Sequence, residues 1–278
     1  MGIRVRSNRS DVTQRKGGAM KRYLRTILAG MTVMACVVTV LLPAWPAPAQ
    51  EALEPESEAF KKQRERLVDD YIEDPAAASR VPIKDKAVIK AMRTVQRHRF
   101  VPKASLRKAY FDRPLPIGHG QTISQPYVVA TMTELLEIGP DSVVLEIGTG
   151  SGYQAAILAE IVKEVYTIEI IEELAKPAAE RLKTLGYDNV KTRTGDGYFG
   201  WKEHAPFDGI VVTAAASHIP PPLVEQLKPG GKLVIPVGAP FQVQNLMVVE
   251  KREDGSVVKR SIYPVRFVPL TGGKKQAD

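Results

Sequence analysis

Most of the chemistry-bearing residues cluster around one turn. In VVLEIGTGSGYQ, residues 143–154, an apolar and β-branched run reads as a buried strand that must stop at Gly148. Gly148, Gly150 and Gly152 follow as G-x-G-x-G, and QAAILAEIV, from Gln154 to Val162, has helical apolar spacing. Strand, turn and helix together open a nucleotide-binding α/β sheet, in which glycine backbone can approach a ligand lying against unpaired helix N–H groups. A glycine turn alone does not choose the ligand. Glu146, two positions before Gly148, is unfavourable beside a pyrophosphate and favourable beside ammonium and sulfonium charges. The turn, with Ser151 inside it, is therefore expected to bind S-adenosyl-L-methionine in preference to NAD; a capped strand-end carboxylate is the plainer alternative for Glu146. Glu169 closes the next predicted strand, VYTIEI, where a carboxylate can accept hydrogen bonds from ribose hydroxyls.

Several elements must hold these residues in place. Amphipathic helices are expected over Ser57 to Glu73 and Lys84 to Arg97, packed as an N-terminal layer, with His98 a structural histidine. Beyond Glu169 a helix over 172–185 should end at Gly186, and the strand VKTRTGD leads to Asp196 and Gly197. FDGIVVTAA is a further strand. Prolines 220–222 start a helix, PLVEQLK, which the PGG at 229–231 ends, and KLVIPVG, NLMVVEK and RFVPL complete the sheet. The fold class expected is α/β and Rossmann-like, a mostly parallel seven-strand sheet with an antiparallel C-terminal edge and N-terminal helices. Between the helices and the sheet, Pro114, Pro116, Gly118, Gly120 and Pro126 punctuate a stretch whose first half should carry no regular element; its second half is a helix. A long loop inside a compact domain usually serves function.

Composition restricts the rest. With 44% apolar residues in 278, the chain can build a core. Its net charge of +8 is concentrated in residues 1–26, where eight Lys or Arg face one Asp, so the body is nearly neutral. No nucleic-acid partner is implied. No metal-ligand cluster, nucleophile elbow or catalytic His–Cys pair is visible, and no metal is expected.

PIGHGQTISQP followed by VLEIGTGSGYQ resembles the protein-L-isoaspartate O-methyltransferase family, and the similarity extends from RHRFVP upstream to GDG, FDGIVVTAA, PGGKLVIPVG and RFVPL downstream. It covers roughly residues 60 to 270; Gln96 stands where the family usually has proline. The resemblance implies a class I S-adenosyl-L-methionine-dependent methyltransferase. It would methylate the free carboxyl of L-isoaspartyl and D-aspartyl residues in age-damaged proteins and peptides, and the ester would close to a succinimide and reopen partly as aspartate. It further implies Ser124 as the catalytic residue, with Thr122, Ile123, Arg266, Val268 and Pro269 against the substrate, Gln121 helping to shape the loop, and Asp196 on the adenine amino group. Three other readings stand beside it: another carboxyl or small-molecule methyltransferase, an NAD-linked oxidoreductase, and a non-catalytic peptide-binding module.

Domain boundaries follow from the N-terminus. KRYLR after Met20, the uncharged run from Thr26 to Leu42 and the Ala47-Pro48-Ala49 end have the order of a secretory signal peptide. Residues 1–49 are expected to be a cleaved signal or an uncleaved membrane anchor, 50–58 a tether, 59–270 the methyltransferase domain and 271–278 a disordered tail. A periplasmic or membrane-anchored monomer, with N-terminal membrane contact before processing, follows from that segment. Because the cofactor is made in the cytosol, the alternative is a cytoplasmic protein starting at Met20 or later.

Overall fold

The computed structural model describes residues 56–75 and 80–273. The expected leader at 1–49, residues 50–55 of the expected 50–58 tether and tail residues 274–278 lie outside them, whereas residues 56–58 of that tether instead lead into and open the first helix, which Ser57 caps. The described chain begins with α1 (Glu58–Val68), continued by a π-helical turn (Asp69–Glu73), and α2 (Lys86–Thr94). Ser57 caps α1 by accepting from the Phe60 N–H, and Asp85 caps α2 by accepting from those of Ala87 and Val88. Two 3₁₀ turns, Arg97–Phe100 and Lys103–Lys108, lead to a hairpin of β1 (Leu115–Gly118) and β2 (Gln121–Ile123), then to α3 (Pro126–Glu134). This hairpin corrects the expectation of an irregular stretch. Pro116 occupies a short two-stranded ribbon where a missing donor costs little, and His119 and Gly120 turn it with positive φ.

The rest alternates: β3 (Val143–Ile147), α4 (Tyr153–Ala159), β4 (Glu164–Glu169), α5 (Glu172–Thr184), β5 (Val190–Thr194), β6 (Phe207–Val212), α6 (Pro221–Glu225), β7 (Leu227–Val237), β8 (Gln244–Lys251) and β9 (Val257–Val265). The seven-stranded sheet runs β5-β4-β3-β6-β7-β8-β9. Strands β5 to β7 are mutually parallel, and β8 and β9 add antiparallel pairs at the C-terminal side. The chain steps outward from β3 in one direction and from β6 in the other, so a crevice opens at the C-terminal ends of β3 and β6.

Two expectations at this end need correcting. PLVEQLK is not one helix: α6 stops at Glu225, and the PGG lies within β7, as a bulge where Phe207 pairs with Leu227 and Gly209 with Lys232. The last strand is β9, not RFVPL. Residues 257–265 alternate too weakly in hydrophobicity to be recognised as a strand because β9 is a mostly exposed edge. RFVPL instead crosses the open end of the sheet, held to Ala215 by Ala215 N–H to Val268 O and Leu270 N–H to Ala215 O, both 2.8 Å.

Residues of α2, α3 and α4 fill one face of the sheet with Val144, Val165, Val211 and Val234. Leu223 of α6 packs on the other with Leu145, Ile147, Ile210 and Leu233. Among the described residues no helix is long and apolar enough to cross a membrane, and no three His, Cys, Asp or Glu side chains are grouped to hold a metal ion.

Candidate active site

Strand alternation decides which residues of the glycine motif reach the crevice. Ile147 lies on one face of β3 and lines the crevice, together with Gly148 and Gly150. Gly148 has φ of 96°, and a Cβ there would sit 2.5 Å from Thr213 Oγ1. Glycine is required on both counts. Gly197 lines the crevice from the far side, where a Cβ would meet Ile147 Cγ2 at 2.4 Å. Glu169 lines it too, its carboxylate accepting from the N–H groups of Gly150 (2.8 Å) and Ile171 (3.0 Å). A carboxylate has about four lone-pair positions, so two remain for ligand hydroxyls.

Four residues predicted to bind cofactor are elsewhere. Glu146 shares the opposite face of β3 with Val144 and is completely buried behind the turn. One of its oxygens accepts from the Thr167 hydroxyl, the other has no hydrogen-bond partner, and burial pushes its carboxyl up to about 8. Its carboxyl thus lies in the core and not on the crevice wall. Ser151 is buried under the turn, its hydroxyl accepting from the Tyr153 N–H and its carbonyl from Arg181. Gly152, with φ of 86°, is the N-cap of α4 and does not line the crevice. Asp196 accepts from its own neighbour, the Tyr198 N–H (2.9 Å), and from the Gly273 N–H (2.8 Å). Residues 271–273, expected to be disordered, therefore lie in place across Asp196.

Next to the crevice is a groove of about 840 Å³, walled by the 114–128 stretch, by the end of β9 with the crossing segment, and by Arg80 and Val81. Crevice and groove share three lining residues, Thr122, Thr213 and Val268. Ser124, Arg266 and Val268 line the groove, and Pro269 lines the crevice. The Ser124 hydroxyl makes no hydrogen bond among the described residues, while its carbonyl accepts from the buried Arg97 guanidinium at 2.8 Å. Ile123 faces neither cavity. It alternates with exposed Thr122 along β2 and is 3% exposed in the core. No acidic residue lines the groove, whereas two arginines do. Such a surface suits an anionic, partly apolar, extended ligand.

A family model described as protein-L-isoaspartate(D-aspartate) O-methyltransferase matches residues 74–275. The chain belongs to the protein-L-isoaspartate(D-aspartate) O-methyltransferase family. It is 70% identical over 189 residues to protein-L-isoaspartate O-methyltransferase 2 of Syntrophobacter fumaroxidans, covering 68% of this chain and 76% of that one. With protein-L-isoaspartate O-methyltransferase 1 of Nitrosospira multiformis it shares 64% over 214 residues, 77% of this chain and 89% of that one. A Plasmodium falciparum structure, described as a protein-L-isoaspartate O-methyltransferase in complex with S-adenosyl-L-homocysteine, superposes with a TM-score of 0.63 at 28% identity, over 76% of this chain and 98% of that one. The protein is thus an S-adenosyl-L-methionine-dependent enzyme that methylates isoaspartyl residues of proteins.

Thr213, Arg80 and Val81 are among the lining residues that escaped the sequence reading. Thr213, in the segment just after β6, lies where crevice and groove meet and donates to Gly148 O at 2.6 Å. Its signal was its position, the first residue past a strand at the reversal of sheet order. Arg80 and Val81 carried no signal, because their segment reaches the groove only through tertiary packing: the Tyr127 hydroxyl donates to Val81 O at 2.8 Å.

Proposed function

We propose that methyl transfer takes place where crevice and groove meet, between Thr122, Thr213 and Val268. The observation that carries this is the sharing of those three residues by two otherwise separate cavities. The residues present fit the family's cofactor: Gly148, Gly150 and Gly197 bring bare backbone to the crevice wall, and Glu169 offers free lone pairs at the rim. Glu169, Gly148, Gly150 and Gly197 would hold S-adenosyl-L-methionine there, with Asp196 joining once the Gly273 N–H releases it. When bound, the cofactor supplies an already activated methyl group.

The chain therefore has little acid–base work. The acceptor carboxylate, with an ordinary pKa near ~4, is ionised at neutral pH, and the protein must aim and desolvate it. Ser124 donates its free hydroxyl to that carboxylate, and Thr122 borders the path. Arg266 adds positive charge at the groove. In the crossing segment the Phe267 N–H is taken by Gln244, the Val268 carbonyl by Ala215 and the Leu270 N–H by Ala215. The Val268 N–H and the backbone of Arg266 are left for an extended peptide, while Pro269 contributes shape without a donor. Ser124→Ala should lower turnover of an isoaspartyl peptide by about 10- to 100-fold and leave S-adenosylhomocysteine affinity unchanged. Turnover at the wild-type rate would remove Ser124 from this role, and methylation of the matching aspartyl peptide at equal rate would overturn the substrate assignment.

Residues 1–49 form a secretory leader or anchor and the residues between it and the Ser57 cap of α1 a tether, so that a monomeric domain works at the cell envelope. The order of basic, apolar and small-residue segments supports this. N-terminal sequencing of the protein from periplasmic, membrane and cytosolic fractions tests it; a cytosolic protein starting at Met1 or Met20 would overturn it.

A further inference from the structure

The groove exposes the Ser124 hydroxyl on a stretch rich in glycine and proline, yet a group that aims a carboxylate must not wander. We propose that Asp112, which lines neither cavity, is the positioning residue that fixes the Ser124 segment. This rests on the role given to Ser124 above.

The Asp112 side chain is 4% exposed and bonds to residues just beyond Ser124. Its Oδ2 accepts from Gln125 Nε2 at 2.7 Å, its own carbonyl takes a second contact from the same nitrogen at 3.1 Å, and Oδ1 accepts from the Tyr127 N–H at 2.9 Å. The last contact places a negative charge on the first turn of α3, where helix N–H groups lack partners. Arg80 pairs with Oδ2 and lays its guanidinium 4.7 Å over the Tyr127 ring, so the carboxylate is neutralised from the groove side. On the other side of Ser124, Arg97 holds the Ser124 carbonyl and that of Ala109, at 2.8 and 2.9 Å. Ser124 is thereby fixed through its carbonyl by Arg97 and through Gln125 and Tyr127 by Asp112. Only its hydroxyl is left free to turn. Every contact Asp112 makes falls on the elements that present Ser124 or on Arg80 of the groove wall, so its loss should be felt in orientation of the substrate and not in cofactor binding.

A mutant cycle tests this. Asp112→Asn keeps the volume and an oxygen for the Tyr127 N–H but gives up the charge paired with Arg80; Asp112→Ala gives up the whole clamp. With an isoaspartyl peptide, kcat should fall about 10-fold for D112N and about 100-fold for D112A, the loss expected when a reacting group is misplaced by about 1 Å. Peptide KM should stay within about 2-fold, and S-adenosylhomocysteine affinity by calorimetry should not change. In a Ser124→Ala background either substitution should cost less than about 2-fold more, because the positioned hydroxyl is already gone. Wild-type kcat in D112N, a matching loss of S-adenosylhomocysteine affinity, or full multiplication of the losses in the double variants would overturn the proposal. D112N, being isosteric, decides the matter if D112A does not fold. Ser124→Ala alone separates the two claims: wild-type turnover there sinks the serine's role, whereas slow S124A beside fast D112N sinks the clamp.

Discussion

At the scale of single residues, Glu146 shows how far a side chain's place in a motif can differ from its place in the fold. Its place before the glycine turn suggested a charge complementary to the cofactor; the cofactor is the expected one, but strand alternation turns the side chain into the core. A two-residue period is plain in VVLEI, yet which face meets the crevice is set by neighbouring strands that the motif does not encode. Burial has a measurable consequence. Its pKa is raised from 4.5 to about 8, so the native state keeps a proton that the unfolded chain releases. Stability is then greatest below about pH 4.5 on this account and falls as pH rises towards about 8. Glu146→Gln should flatten that decline, raising Tm at pH 8.5 but not at pH 4.5. His98 acts in the opposite sense. Stacked 4.2 Å from Phe60 and bonded to the Tyr110 hydroxyl, it is lowered by burial from 6.5 to about 4, so stability falls as pH drops from 6.5 towards 4. That acid limb should survive unchanged in Glu146→Gln, and thermal melts across pH 4 to 9 would show whether the two limbs are independent.

At the scale of elements, the parallel strands and their helices were legible because each carries local signals: apolar runs for β3, β4 and β6, Gly186 closing α5, Pro126 opening α3. The hairpin β1–β2 and the edge strand β9 were not, since proline and exposed charge mask strand character wherever only one neighbour pairs. Nor did any local signal hint that a buried arginine would fasten the stretch carrying Ser124. Arg97 is fully enclosed, lies 4.7 Å from the Tyr153 ring and serves three carbonyls, those of Ala109, Arg113 and Ser124. Arg97→Met should fill the space but orphan those carbonyls, costing roughly 2 to 4 kcal/mol in urea unfolding. A loss below about 1 kcal/mol would mean that water replaces the guanidinium. The crossing segment invites a binding test as well. Because the Gly273 N–H occupies the Asp196 carboxylate that the cofactor would need, truncation after Leu270 should tighten S-adenosylhomocysteine binding several-fold by calorimetry, and an unchanged affinity would show that this bond does not compete with the ligand.

At the scale of the whole molecule, the domain from residue 56 onward contains the crevice, the groove and the core beneath both. Deleting residues 1–55 should therefore leave kcat and KM for a short isoaspartyl peptide unchanged; a fall in kcat would assign those residues a part in catalysis. One feature of this architecture reaches further. The crevice as it stands is a cavity of only about 50 Å³, against roughly 300 to 1,000 Å³ for small-molecule sites, and it is roofed by the segment that also walls the groove. A peptide resting on Val268 would pin that roof down. Admission should then follow a fixed sequence, the nucleoside first and the damaged polypeptide second, with discharge in reverse. Initial-rate patterns should show S-adenosylhomocysteine competing with S-adenosylmethionine at every peptide concentration, and excess peptide should trap the spent nucleoside and slow the steady state.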